Sequence, residues 1–361
     1  MRGKLKISAP TVICIAGATE APLGLPSLWM ATQQRLVLET LPDGGEADAL
    51  RVMDGSRLLD PGVSPIAAAA RETLDSLDAF LGLSALTRVH PALVRIPEGW
   101  PEAAADMLRA PVAVAAAVAA LQFSGALKTA TSQKIAAIAA GALGERQTGR
   151  PECLAASIGG IILYQPGKGH GFQTVSAQIG EFVAFFPSRP CAVDAAALAD
   201  ANEEAVAQIR RGDSEREFTQ ENFDAMLSRL SAMSSEAACR VYSQLRLRQV
   251  LAQMLETLAS DLFDCNRFGE LLDDQREICA QYLGVDWEGC ADVVAAAKEA
   301  GAAGVGIMLS GRTPPALLIH AGDASESVLN ALRMGGGCAF RIVKDGGVSM
   351  ESAEPEPAGD T

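Results

Sequence analysis

The sequence predicts an α+β protein of two domains, and three observations carry that reading. Residues 4–186 mix strand-like runs rich in Ile and Val with alanine-rich helical stretches. After Pro187-Ser188-Arg189-Pro190 the pattern turns helical, to about Ala300. Strand-like runs then return between Ile307 and Val343. The expected domains are 1–187 and 188–351. The polar, proline-containing tail 352–361 is expected to be disordered.

The elements follow in order. Lys4 to Ala16 alternates and reads as strand. Gly17 to Gly24 is turn-forming, and Leu28 to Leu41 carries further strand. Asp43-Gly44-Gly45 and Asp54-Gly55 are hairpin-type turn signals. Pro65 to Leu83 is helical, with an apolar stripe at Ile66, Ala70, Leu74, Leu77 and Phe80, and Arg88 to Ile96 is strand. Pro111 to Ser124 is a helix with Pro111 at its first position. Its alanines predict close packing against another backbone. Thr131 to Leu143 is a second helix, followed by strands at Ile161–Tyr164 and Gln178–Phe186. Asp194 and Thr219 are candidate N-caps for the next two helices. Ser235 to Phe263 is a long helix. Strands at Ile307–Met308, Ala316–His320 and Cys338–Val343, and a helix at Ser325–Met334, close the chain.

Composition limits the function classes. Of 361 residues, 49% are hydrophobic and 20% charged, enough for a full core, and the formal charge is −14. That charge argues against a nucleic-acid surface and an anionic membrane. The apolar run Pro111 to Leu121 is too short to span a bilayer. Eight cysteines without a C-x-x-C pair fit buried thiols in a reducing cytoplasm. The three histidines form no metal-spaced set, so no protein-bound metal is expected.

The block Gly149-Arg150-Pro151-Glu152-Cys153 through Gly159-Gly160 is a short helix followed by a glycine turn into Ile161-Ile162-Leu163-Tyr164. It resembles the G-x-x-D-Q…G-G block of the GHMP small-molecule kinases, the superfamily of galactokinase, homoserine kinase and mevalonate kinase. The start of the chain, Ser8 to Gly24, resembles that family's first motif, with Ala9, Pro10, Gly17 and Gly24 in place. Phe268-Gly269-Glu270-Leu271-Leu272 resembles its F-G-E-L-M, and Gly304 to Gly311 the strand entering its third motif.

The resemblance implies an N-terminal mixed domain with a left-handed crossover and a C-terminal helical, ferredoxin-like domain. It implies Glu152 as catalytic base, in place of the family's Asp. It implies nucleotide contacts at Arg109, Ala110, Ser310, Gly311 and Arg312, and substrate contacts at Gly17, Thr19, Glu20 and Gly24. An active member would use ATP and Mg²⁺; a degenerate one would use neither. A small-molecule ligand is expected in a cleft between the domains, beside Gly17–Gly24, Glu152 and Ser310–Pro315. The oligomeric state is not readable.

The departures fall on the motifs that carry the chemistry. Val12 stands where the family has an Arg, and Ala18-Thr19-Glu20-Ala21 replaces Glu-His-x-Asp. The phosphate cradle G-L-G-S-S-A has no counterpart between Pro97 and Pro111, where Gly99 is the single glycine. The third motif, G-x-G-x-G-G, has become Gly311-Arg312-Thr313-Pro314-Pro315-Ala316. Two prolines remove two N–H donors there. Lys168 and His170, in a glycine-rich turn, read as surface residues. Three functions stay open: a degenerate kinase homologue, a divergent active sugar or polyol kinase, and another enzyme that uses no nucleotide. The loss of three motifs together favours the first.

Overall fold

The computed structural model describes residues 4–17, 26–40, 50–82, 92–143, 149–165, 171–189, 193, 195–210, 223–310 and 313–352. The first half contains β1 (Leu5–Ala16), β2 (Ser27–Thr40), β3 (Leu50–Asp54), β4 (Arg57–Leu59), α1 (Pro65–Leu81), β5 (Ala92–Ile96), α2 (Arg109–Phe123), α3 (Ser132–Ala142), α4 (Gly149–Ile158), β6 (Ile161–Gln165), β7 (Gly171–Val175) and β8 (Phe182–Pro187). The second contains α5 (Ala195–Arg210), α6 (Phe223–Leu230), α7 (Ser235–Ala259), α8 (Cys265–Leu283), α9 (Cys290–Glu299), β9 (Gly304–Ser310), β10 (Thr313–His320), α10 (Ser325–Leu332), β11 (Gly337–Ile342) and β12 (Ser349–Ser352). The chain forms two compact units, residues 1–13, 30–160 and 344–361 in one and residues 14–29 and 161–343 in the other. The helix caps expected at Asp194 and Thr219, the turn at Asp43–Gly45 and the tail from residue 353 lie outside the described residues.

In the first unit the strand order is β12-β1-β2-β5-β3-β4. The pairs are antiparallel for β12–β1, β2–β5 and β3–β4, and parallel for β3–β5. Asp54 pairs with Arg57 across a two-residue turn, as the Asp-Gly signal predicts, with Gly55 at φ 55°. The Ser64 hydroxyl caps α1 by accepting from the Ala67 N–H, and Gly82 ends it in the left-handed conformation. Among these elements α2 is buried from Ala110 to Leu121, enclosed by α1, α3 and α4. Its alanines admit those neighbours closely, as their number predicts.

Two boundaries differ from expectation. The second helix begins at Arg109, so Pro111 is its third residue; a 3₁₀ segment, Glu102–Leu108, feeds straight into it. Together they make a 22-residue apolar helical stretch, long enough by composition to cross a membrane, yet 89% of its most apolar window is buried inside the protein. It is a core helix, longer than the Pro111–Leu121 run suggests. The strand expected from Gln178 starts only at Phe182.

The second unit is built on the antiparallel sheet β11-β8-β10-β9. Helix α8 packs on β9 through paired glycines: a Cβ on Gly269 or Gly304 would overlap the other segment's backbone. Phe268 is fully buried beside Phe182, Phe263 and His320. The Phe268–Leu272 motif therefore has a packing reason, with Phe268, Leu271 and Leu272 in the core and Glu270 outside on Arg267.

Candidate functional site

The first candidate segment ends β1. Ala9 and Val12 through Ala16 are buried, with Val12 3% exposed, so an apolar side chain occupies the position where the resemblance puts a cation. Gly17 has φ 86°, and a Cβ there would stand 2.6 Å from the Pro26 carbonyl oxygen. Glycine is needed at this position for close chain approach, which explains it without a ligand. Thr19, Glu20 and Gly24 lie outside the described residues.

The second segment is the start of α2. A phosphate site at a helix N-terminus needs exposed N–H groups and a backbone free of side chains. Here Met107, Leu108 and Ala110 are buried, and the Arg109 N–H already donates to the Asp106 carbonyl. The Arg109 guanidinium donates through Nε to Asp106 (2.6 Å) and through an Nη to Glu72 (2.8 Å). Burial alone would lower the Arg109 pKa, but these two carboxylates outweigh it and hold the group above its ordinary value. An arriving phosphate would meet a cation already engaged by two carboxylates.

The third segment joins β9 to β10. Ser310 pairs with Thr313, and the register shifts between Thr313 and Ala316. That irregularity spans Pro314 and Pro315, which have no N–H to give a ladder. The backbone here is a hairpin with a bulge, and Ser310 takes part through its main chain. Gly311 and Arg312 lie outside the described residues, as do Lys168 and His170.

Glu152 lies in the first turn of α4, half-buried, where a carboxylate complements the helix dipole. Helix α4 ends at Gly159 (φ 85°) and Gly160 (φ 69°). A Cβ on Gly159 would overlap the backbone of Gly346 and Gly347, so Gly159 is explained by backbone contact and Gly160 by its positive φ. Arg109 and Glu152 belong to the first unit, and Gly17, Ser310, Pro314 and Pro315 to the second.

The described residues do not fit ATP and Mg²⁺ in the manner the resemblance implies. The glycine cradle is replaced by a buried 3₁₀ turn, the third loop by a proline bulge, and the cation of β1 by Val12. Among the described residues no three His, Cys, Asp or Glu side chains converge as a metal site.

Sequence reading missed other polar centres. Glu181 accepts from Arg341 and from the Ser325 hydroxyl (2.6 Å), and these bonds, Arg341 first, lower its pKa. His320, fully buried, donates from Nε2 to the Ile179 carbonyl at 2.5 Å, which leaves Nδ1 facing the Cys265 thiol at 3.7 Å. Arg35, the lone cation in β2, reaches five acceptors. Its signal was visible: Gln33-Gln34-Arg35 interrupts an otherwise apolar strand.

No family model matches the sequence, and no curated protein matches it. Solved structures do match. The galactokinase of Lactococcus lactis complexed with galactose aligns over 96% of this chain and 95% of its own, with TM-score 0.68 and 12% identity. The L. major mevalonate kinase in complex with R-mevalonate covers 95% of each chain, with TM-score 0.62 and 15% identity. The Methanococcus jannaschii mevalonate kinase covers 94% of this chain and 98% of its own, with TM-score 0.63 and 12% identity. The chain has the fold that these GHMP kinases share.

Proposed function

We propose that this chain, built on the GHMP kinase fold, is a pseudokinase: a cytoplasmic protein that binds a small polar molecule and does not transfer phosphate. The observation that carries the reading is the start of α2, where Arg109 is held by Asp106 and Glu72 and the glycine cradle is absent. Losing a single preorganised donor at a reacting centre typically costs about 3–4 kcal/mol, a hundred- to a thousandfold in rate. Three motif sites have changed here. Such losses need not add, but together they leave phosphoryl transfer without its usual support.

Fold neighbours solved with galactose and with R-mevalonate support a hydroxylated small molecule as the ligand class. Hydroxylated sugars and hydroxy acids are therefore the first ligands to test. Calorimetry with ATP and Mg²⁺ should show no heat of binding at millimolar nucleotide. A coupled assay with galactose, mevalonate and homoserine should give turnover well under about 1 s⁻¹, the low end of ordinary enzyme rates. Micromolar ATP binding, with turnover abolished in Glu152→Ala, would establish instead a divergent kinase with Glu152 as base.

A further inference from the structure

After β11 the chain leaves the second unit and returns to the first. The returning segment runs along β2 and the end of α4. Lys344 bridges Thr32, and the Asp345 N–H donates to the Ala31 carbonyl at 3.0 Å. The Gly160 N–H donates to the Asp345 carbonyl at 2.8 Å. Gly346 bridges Gly159, and the Val348 N–H donates at 2.9 Å to Ala156, one of the last carbonyls of α4. The segment then becomes β12, paired with Leu5–Ser8 of β1.

Two side chains tie this segment down: Lys6 pairs with Glu351 at 2.9 Å, near its far end, and Arg35 makes the remaining bonds. Arg35 donates to the Ser8 hydroxyl (2.7 Å) and the Ser8 carbonyl (3.0 Å), which anchors it on β1. Its remaining bonds go to the Asp345 carboxylate (2.8 Å) and the carbonyls of Gly346 (3.3 Å) and Gly347 (2.8 Å). No residue from Val343 to Glu351 is buried. The segment is therefore held by hydrogen bonds and two ion pairs, Arg35–Asp345 and Lys6–Glu351, and none of these residues belongs to the buried core. Segments held in this way open at lower free energy than the core beside them.

We propose that residues 344–352 are a detachable strap with Arg35 as its latch. The strap opens as its own cooperative unit and releases the Gly159–Gly160 exit of α4, the helix that bears Glu152. This inference is independent of whether the protein binds nucleotide. It makes Arg35 a positioning residue, anchored on β1 and acting on α4 through the strap.

Native-state hydrogen exchange on the full chain tests it. In the wild-type protein the amides of Gly160, Asp345 and Val348 should share one opening free energy, lower than that of Val114 in α2. In Arg35→Met those three should exchange about tenfold to a hundredfold faster, the range expected for lost hydrogen bonds to a charged group. Val114 and Leu271 should stay within about twofold. Asp345→Asn, which keeps the side-chain shape, should give a smaller rise in the same three amides. The idea is overturned if the three amides exchange together with Val114 in the wild type. It is equally overturned if Arg35→Met accelerates all amides alike or none of the three.

Discussion

At the scale of single residues, the motif-like positions of this chain divide into those with a packing cause and those without. Gly159 combines a positive φ with a Cβ that would meet Gly346 and Gly347. We expect Gly159→Ala to destabilise the protein by more than about 2 kcal/mol, since a left-handed alanine alone costs about 1–2 kcal/mol and the overlap adds to it. Urea unfolding measures this; a loss under about 0.5 kcal/mol would mean the turn relaxes freely. Gln244 is the opposite case. It is fully buried, and among the described residues neither its amide oxygen nor its nitrogen has a hydrogen-bond partner. Gln244→Leu removes a polar group that folding strips of water, and should raise stability by roughly 1–3 kcal/mol. An unchanged or lower midpoint would show that a water or a bound group satisfies the amide. Neither feature was legible in the sequence. A glycine pair and a helical Gln look alike whether they face solvent, backbone or core, and only the partner segment, distant in sequence, decides.

At the scale of elements, the legible parts were those whose own residues set their geometry. Helix α1 has its serine cap, its proline and its left-handed glycine in the sequence, and Thr131 accepts from the Lys134 N–H at the start of α3. Strands β7 and β12 were not read. Gly171-Phe-Gln-Thr-Val lies largely exposed beside β6, and Ser349-Met-Glu-Ser is short and polar; both are strands because a partner offers a ladder, not because of their pattern. The start of α2 was misplaced for a similar reason: Pro111 is tolerated throughout the first turn, so it marks that turn and not its first residue. Helix α2 also yields a prediction. Ala113, Ala115, Ala116, Ala117 and Ala119 are all fully buried, so no face has room for a larger side chain. Ala116→Leu should cost at least about 1–3 kcal/mol by overpacking. Its counterpart on α3, exposed Ala137→Leu, should be near neutral. Equal effects at the two positions, measured by thermal unfolding, would contradict the enclosed position of α2.

At the scale of the whole molecule, the groups whose pKa is lowered separate into two pH windows. His320 is sealed among Phe182, Phe263 and Phe268, and burial lowers its pKa below the ordinary 6.5, although the Ile179 carbonyl opposes the shift. Its folded pKa is the lower one, so below pH 6.5 the unfolded chain binds more protons than the native state. Stability should fall as pH drops from about 6.5 toward the depressed folded value, by at most about 1.4 kcal/mol per pH unit for one proton. Glu39, Glu181 and Asp345 are lowered from 4.5, 4.5 and 3.8. Burial would raise Glu39 and Asp345; the bonds from Lys4 and Arg95 to one, and from Arg35 to the other, outweigh it. Their contribution is complete above those ordinary values and is lost only as pH falls further, through the folded ones. The histidine window therefore opens first and is accessible without disturbing the carboxylates. Urea midpoints between pH 7.5 and 5.0 should decline in the wild type. They should stay nearly flat in His320→Gln, whose amide still has a donor for the Ile179 carbonyl and no proton to take up. The variant starts less stable at pH 7.5, because a smaller side chain fills the aromatic enclosure poorly, so the slope is the quantity that decides. An equal slope in both proteins would assign the acid sensitivity to groups other than His320.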